Sequence, residues 1–385
     1  MKNLNKELKT KKTIAIITNV SRNVFLFKML LLKNLKKAGY RVIVFASDNG
    51  SIDEIKKVAD EFIEYDISRT GLNLLKEYGT YKTLKGLVAE KKIDLVMSFT
   101  IKPNIYSNLI FKDSSVKVIN VLNGRGRVFD GTRPFRRFVI GALGKMSYKH
   151  SDCIYLNNPS DLTYMTENGY LPKEKCRIIK GEGLDISRFI SQKEKNFDQI
   201  KFLYIGRLMK SKGVENLINV GLELKGKYPN VRVQLAGLPI EGDSDSVDKE
   251  WLDQLTAEDK IDYFGWIDDP RPLYDDSNCV VLATHYNEGM PMSLMEGAAM
   301  KTPIICSDID ACLQTVEDNV TGLVCKANDK ESLRQKMEEF ILLSDEEKIA
   351  MGLEGRRKAE SDFDANKLFE EYHVVIKKLL QEKNG

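Results

Sequence analysis

The sequence predicts two doubly wound α/β domains, each a mostly parallel sheet with helices on both faces. The chain has 385 residues, more than one ordinary core accommodates and about right for two such domains. Short apolar runs alternate with helical patterns almost throughout, the signature of parallel strands joined by crossover helices. The rhythm pauses once, at Gly181-Glu-Gly-Leu-Asp-Ile-Ser-Arg188 and the polar stretch to Asp198, which marks a domain boundary.

Thr13-Ile-Ala-Ile-Ile17 reads as a buried first strand, followed by a helix from about Phe25 that stops at Gly39. Arg41-Val-Ile-Val-Phe45 is the next strand, helical spacing runs through Leu74–Ala89, and Asp94-Leu-Val-Met-Ser98 follows. Val116-Lys-Val-Ile-Asn-Val121 and Cys153-Ile-Tyr-Leu156 complete the first set. Beyond the pause come Lys201-Phe-Leu-Tyr-Ile205, Val231-Arg-Val-Gln-Leu235, Ile261-Asp-Tyr-Phe264, Cys279-Val-Val-Leu282 and Pro303-Ile-Ile-Cys306. The amphipathic segment Leu368–Leu380 is expected to pack back on the first domain. The expected divisions are 1–182, 183–364, and a returning helix over 365–385. No internal repeat is present.

Bulk composition narrows the function. Hydrophobic residues make up 42% and charged residues 30%, and the net charge is only +3, so nothing overall argues for nucleic acid. The six cysteines form no CxxC pair and no Cys/His ligand set, which reads as buried thiols in a reducing compartment and not as a metal site. The Lys/Asn-rich start, Met1 to Lys12, lacks the apolar core of a signal peptide. The apolar run Phe138–Leu143 is far too short to span a bilayer. A cytoplasmic protein whose membrane contact is limited to its surface is expected.

In open α/β sheets ligands bind beyond the carboxyl ends of the strands, so with two sheets the expected site is the cleft between them. The sharpest motif, Glu288-Gly-Met-Pro-Met-Ser-Leu-Met-Glu296, follows a strand and leads into a helix over roughly 292–300. The free N–H groups of Gly289, Met290, Met292 and Ser293, around Pro291, favour anions or sugar hydroxyls at that helix start. Glu288 in the loop can accept two sugar hydroxyls, and Glu296 on the helix can accept ribose hydroxyls. The competing reading makes Glu296 a helix-dipole partner and Glu288 a solvated loop residue.

Gly206-Arg-Leu-Met-Lys-Ser-Lys-Gly213 stands directly after the first strand of the second domain. Arg207 offers a planar fork and Lys212 a point charge, suited to straddling a diphosphate. Gly206 and Gly213 permit close backbone approach. A solvated basic loop is the alternative. With the carboxylate loop in the same domain, the pattern describes a site for a nucleotide-diphosphate sugar, without a metal.

On these motifs the chain resembles glycosyltransferase family 4, from about Lys12 onward. Ser68-Arg-Thr-Gly-Leu-Asn73, Thr100-Ile-Lys-Pro-Asn-Ile-Tyr106, Asn123-Gly-Arg-Gly126 and Asn158-Pro-Ser-Asp161 are similar to the bacterial branch that builds capsule, O-antigen and N-glycan precursors. The resemblance implies a GT-B fold and a retaining enzyme that uses no metal or other cofactor. It implies that Arg207 and Lys212 stabilise the leaving diphosphate, Glu288 holds the donor sugar and Glu296 the ribose. It also implies a hexose or N-acetylhexosamine donor, with uridine diphosphate as the family expectation, and a polyprenyl-diphosphate-linked sugar as acceptor.

The chain departs from the family in places. Asn123 stands where enzymes outside this branch place a histidine, and it cannot act as a general base. The loop Asn19-Val-Ser-Arg-Asn-Val24 lacks glycine, and Asp310-Ala-Cys-Leu-Gln314 replaces a Pro-Gly-x-Arg-Glu type turn. His285 stands where the branch often has tyrosine and is given no catalytic role. Arg125 between two glycines is expected to meet acceptor phosphate, and Arg69, Asn73 and Lys102 to line the acceptor side. For these residues ordinary loop solvation is the alternative.

Thr132-Arg-Pro-Phe-Arg-Arg-Phe-Val-Ile140 and the run to Lys149 mix aromatic and basic residues at helical spacing. Such a helix either lies on an anionic leaflet, on the inner face of the cytoplasmic membrane, or simply covers the sheet. Two other functions fit parts of the pattern: a nucleotide-sugar epimerase on the same scaffold, and a non-catalytic sugar-nucleotide-binding protein. A Rossmann oxidoreductase does not, because no Gly-x-Gly-x-x-Gly follows Ile17.

Overall fold

The computed structural model describes residues 11–67, 73–124, 129, 134–286 and 288–381. They form two compact units: the chain through Ile179 together with that from Asn366 onward, and Lys180–Ala365.

The first unit is built on seven parallel strands: β1 (Thr13–Val20), β2 (Arg41–Ser47), β3 (Glu61–Glu64), β4 (Leu95–Phe99), β5 (Lys117–Leu122), β6 (Cys153–Leu156) and β7 (Cys176–Ile178). Their order is β3-β2-β1-β4-β5-β6-β7, so the winding reverses between β1 and β4. The inner strands are apolar on both faces because helices cover both. Ile14, Ile16, Val42 and Val44 enter one core cluster, while Ala15, Ile17, Ile43 and Phe45 enter the other.

The expected helix from Phe25 to Gly39 starts earlier and is broken. It runs as Ser21–Phe27 and Met29–Lys37, with Lys28 between them at φ −125°. Lys28 is 2% exposed, and its ammonium stands 3.9 Å from the centroid of the Phe99 ring. A cation over an aromatic face is attracted by the ring quadrupole. The last helix, Ala365–Gln381, belongs to this unit: Leu368, Phe369, Tyr372, Ile376 and Leu379 join the same cluster as Ile14.

The second unit has six parallel strands: β8 (Ile200–Ile205), β9 (Val231–Ala236), β10 (Asp262–Tyr263), β11 (Cys279–Leu282), β12 (Ile304–Ser307) and β13 (Gly322–Cys325). Their order is β10-β9-β8-β11-β12-β13. The winding reverses between β8 and β11, where a doubly wound sheet opens a crevice at its carboxyl edge. The loops leaving these adjacent strands are those carrying the two sharp motifs. The sheets are thus the two Rossmann-like halves of a GT-B fold.

Candidate active site

The loops after β8 and β11 touch through their backbones. Gly213 has φ +76°, and a Cβ there would stand 2.2 Å from the Ala283 carbonyl oxygen. Only glycine lets the loop after β8 lie this close to the loop after β11. Gly206 and Gly237 meet in the same way, since a Cβ on Gly237 would lie 1.8 Å from the Gly206 carbonyl oxygen.

The side chains of these loops converge. The Lys212 ammonium pairs with Glu288 Oε1 at 2.7 Å, with side-chain exposures of 12% and 10%. Both cations flank Tyr286: the Arg207 guanidinium carbon lies 5.5 Å and the Lys212 ammonium 5.7 Å from its ring centroid. The buried Tyr204 hydroxyl donates to the Arg207 carbonyl at 2.6 Å. Burial drives that phenol's pKa far up; the Glu288 charge adds to the rise and the Arg207 charge opposes it. Arg207, Lys212 and Glu288 therefore share one neighbourhood, with Arg207 exposed and the other two half-buried.

Pro291 precedes the helix Met292–Ala299, whose N-terminus no side chain caps. The Pro291 carbonyl accepts from the N–H groups of Leu294 and Met295. The first-turn N–H groups of Met292 and Ser293 thus point out as anion or hydroxyl donors. Gly289 and Met290 form the turn before it, with the Met290 side chain buried in the core cluster. Glu296 lies on this helix and accepts a 2.8 Å hydrogen bond from the buried Tyr274 hydroxyl. Burial pushes the Glu296 carboxyl up to about 7, against the opposite pull of the Tyr274 bond and the Arg188 charge.

In the first unit two of the expected acceptor-side residues, Lys102 and Asn123, lie just beyond the ends of β4 and β5. Lys102 is on the helix Ile101–Phe111 after β4, and its ammonium pairs with Glu77 at 2.7 Å. The residue before that helix, Thr100, has φ +74°, a strained conformation for a β-branched residue. The helix is pinned from beneath by buried amides: Asn108 donates to Asn120 at 2.8 Å, Asn120 to Ser98 at 2.8 Å, and Asn104 to the Val121 carbonyl at 3.1 Å. Asn123 follows β5 and is partly buried. Asn73 caps the helix Leu74–Ala89, accepting from the N–H groups of Leu75 and Lys76. Arg69 and Arg125 lie outside the described residues.

The helix Pro134–Tyr148 buries Ile140, Gly141, Gly144, Ser147 and Tyr148 and leaves Phe138, Lys145 and Met146 exposed. Phe138 is 73% exposed. The helix packs against the helix Ile101–Phe111 with Ile140 and Tyr148 in the core of the unit, and it carries an outer face with large apolar and basic side chains. Among the described residues no helix is long and apolar enough to cross a membrane, and no metal-holding cluster of His, Cys, Asp or Glu is present.

Sequence reasoning missed Tyr204, Tyr274 and Tyr286, and also Ser211 and Asp245, whose side chains join the loop after β8 to the loop after β9. Tyr204 sits in an apolar run and reads as core, while Tyr274 lies in the polar segment Arg271–Asp276, where nothing local marks it. The partners of Ser211 and Glu296 are non-local, and no spacing rule reaches them.

Comparison with known proteins agrees across both units. Residues 185–358 match the family Glycosyl transferases group 1, and residues 13–158 match Glycosyl transferase 4-like. The chain is 24% identical over 356 residues to the N,N'-diacetylbacillosaminyl-diphospho-undecaprenol alpha-1,3-N-acetylgalactosaminyltransferase of Campylobacter jejuni, covering 88% of this chain and 91% of that one. It is 23% identical to the capsular polysaccharide biosynthesis glycosyltransferase CapM of Staphylococcus aureus, over 98% of this chain and 100% of the other. The fold is similar to Anabaena HepE, solved in complex with UDP and glucose: TM-score 0.78 at 15% identity, covering 95% of this chain and 100% of that one.

Proposed function

The chain belongs to the group 1 and 4-like glycosyltransferases, and on that premise we propose that it moves a hexosyl or N-acetylhexosaminyl unit, with retention, from a uridine-diphosphate sugar to a lipid-linked saccharide during assembly of a bacterial surface polysaccharide. The observation that carries the reading is the convergence of Arg207, Lys212 and Glu288 around Tyr286 and Tyr204. Two cations beside a carboxylate suit a ligand that is anionic at one end and a polyol at the other. The names of the Campylobacter and Staphylococcus relatives favour a polyprenyl-linked acceptor and a surface-polysaccharide pathway.

In this scheme the acceptor hydroxyl attacks the anomeric carbon on the face from which the diphosphate leaves. The bond from that carbon to the phosphate oxygen breaks, and the departing oxygen takes the hydroxyl proton. Negative charge grows on the leaving group, where fixed cations act most strongly, so Arg207 and Lys212 stabilise the transition state more than the ground state. Glu288 holds the sugar hydroxyls, and no metal takes part. Gly206, Gly289 and the helix start from Met290 to Ser293 line the donor, and Lys102, Asn123, Asn73, Arg69 and Arg125 serve the acceptor. The outer face of the helix Pro134–Tyr148 rests on an anionic membrane.

Glu296 gives the scheme a pH signature. A carboxylate accepts ribose hydroxyls better than a carboxylic acid does, and this carboxyl is half-ionised near pH 7. Donor affinity is therefore weak below that point and improves as pH rises through it. The donor KM is expected to be several-fold higher at pH 6 than at pH 8. Tyr274→Phe removes a bond that favours the ionised form, so its inflection moves to higher pH. A flat KM profile in both proteins overturns the role given to Glu296.

The function itself is tested by incubating the protein with a panel of nucleotide sugars and a polyprenyl-diphosphate saccharide in anionic vesicles, read by mass spectrometry. A glycosylated lipid is the expected product. Epimerised free donor with no transfer points to the isomerase reading, and donor binding without either product points to a non-catalytic protein.

A further inference from the structure

We propose that Asp245 is a positioning residue for the cation loop, setting Lys212 through Ser211. The inference rests on the donor reading above. Asp245 lies in the loop that follows β9, and both its carboxylate oxygens engage Ser211. Oδ1 accepts from the Ser211 N–H at 2.9 Å, and Oδ2 accepts from its hydroxyl at 2.5 Å. The flanking backbone forms a short antiparallel strip. Lys210 N–H donates to the Asp245 carbonyl at 2.7 Å, Met209 pairs with Ser246, and Val247 N–H donates to the Leu208 carbonyl at 3.0 Å.

Ser211 is also held from the other side. Its carbonyl accepts from the His285 N–H at 2.9 Å and from the Thr284 hydroxyl at 3.2 Å. Thr284 Oγ1 in turn accepts from the Tyr286 N–H at 3.0 Å. Ser211 thus joins the loops after β8, β9 and β11. The next residue is Lys212, whose ammonium reaches Glu288. With Ser211 fixed at its N–H, its hydroxyl and its carbonyl, the Lys212 stem leaves from a defined point toward the carboxylate loop.

Charge makes the arrangement informative. An acidic residue beside an anion-binding loop repels the ligand that loop must hold. Here both acidic oxygens are turned onto Ser211, where they organise the loop through charge-assisted hydrogen bonds. Removing that support lets Lys212 drift, and small displacements of an electrostatic group are costly at a site where preorganisation matters.

The test is a double-mutant cycle read by calorimetric binding of UDP and by transfer kinetics. Asp245→Ala is expected to weaken UDP binding and lower kcat/KM, each by about tenfold. Asp245→Asn keeps an oxygen for the Ser211 N–H and offers an N–H to the hydroxyl oxygen, so it is expected to return to within about threefold of the native protein. In a Lys212→Ala background the further change to Asp245→Ala is expected to cost less than about twofold, because there is no ammonium left to place. Ser211→Ala removes only the hydroxyl contact and is expected to lose about threefold, a milder probe if Asp245→Ala unfolds the loop. Equal losses with and without Lys212, or an asparagine variant as poor as the alanine one, overturn the proposal. Failure of the native protein to bind UDP instead overturns the donor reading, and is seen before any variant is made.

Discussion

Lys212→Ala is expected to lower kcat/KM by about a hundredfold to a thousandfold, the range seen when one fixed charge-stabilising donor is removed, ~2.7–4 kcal/mol. Most of the loss should appear in kcat, since the ammonium meets more negative charge as the diphosphate departs. Arg207→Ala is expected to lose at least about a hundredfold for the same reason. The two cations flank one ring and address one leaving group, so the double variant should lose much less than the product of the single losses. Steady-state kinetics on the three variants, with thermal midpoints measured alongside, check this. The midpoints matter for Lys212, because its removal leaves Glu288 half-buried beside the bare end of the pair. Near-native turnover in both single variants would refute the cation assignment.

Much of the fold is legible because a strand inside a parallel sheet is apolar on both faces. β1, β2, β4, β8, β9 and β11 are interior strands, and each stands out as a dense apolar run. The strands that escaped notice are edges. β3 reads Glu61-Phe-Ile-Glu64, β7 carries Arg177 at its centre, and β13 begins at Gly322; each ends its sheet and is short. β10, also an edge, is only Asp262–Tyr263 where a longer run was expected. β3 and β7 have one neighbour and mixed burial, so periodicity fails there, whereas β13 is largely buried but offers only three apolar residues after Gly322. The break at Lys28 is hidden too, because a lysine inside a helical pattern reads as solvated and this one turns inward onto Phe99.

The site divides on similar lines. Arg207, Lys212, Glu288 and Glu296 lie in contiguous loop–helix segments, so local spacing finds them. What holds them is distant in sequence: Asp245 is 34 residues from Ser211, and Tyr274 is 22 from Glu296. Only the sheet order brings the loops after β8, β9 and β11 together. Asn73 illustrates the limit from the other side. A motif residue expected on the acceptor side holds two helix N–H groups, and its polar character alone distinguishes neither role.

Glu288→Gln separates the two jobs of the pair. Lys212 and Glu288 form an ion pair at 2.7 Å, which keeps two half-buried charges compensated. A bound sugar nucleotide must draw the ammonium toward phosphate and the carboxylate toward hydroxyls. Replacing the carboxylate by an amide weakens the grip on the sugar while freeing the cation. Transfer is therefore expected to fall by about a hundredfold or more, as it should for Glu288→Ala, from the loss of transition-state contacts worth ~2.7 kcal/mol. UDP, which has no sugar to lose, is expected to bind on the order of tenfold tighter, because a like charge near its phosphates is gone, a repulsion of ~1–2 kcal/mol at an effective dielectric of about 20. Opposite signs in turnover and product affinity are a result that misfolding cannot imitate, since a damaged site loses both. Calorimetry with UDP beside the transfer assay reads the two quantities on one preparation. If UDP affinity is unchanged or weaker and transfer is intact, Glu288 is a structural partner of Lys212 and the sugar is held elsewhere.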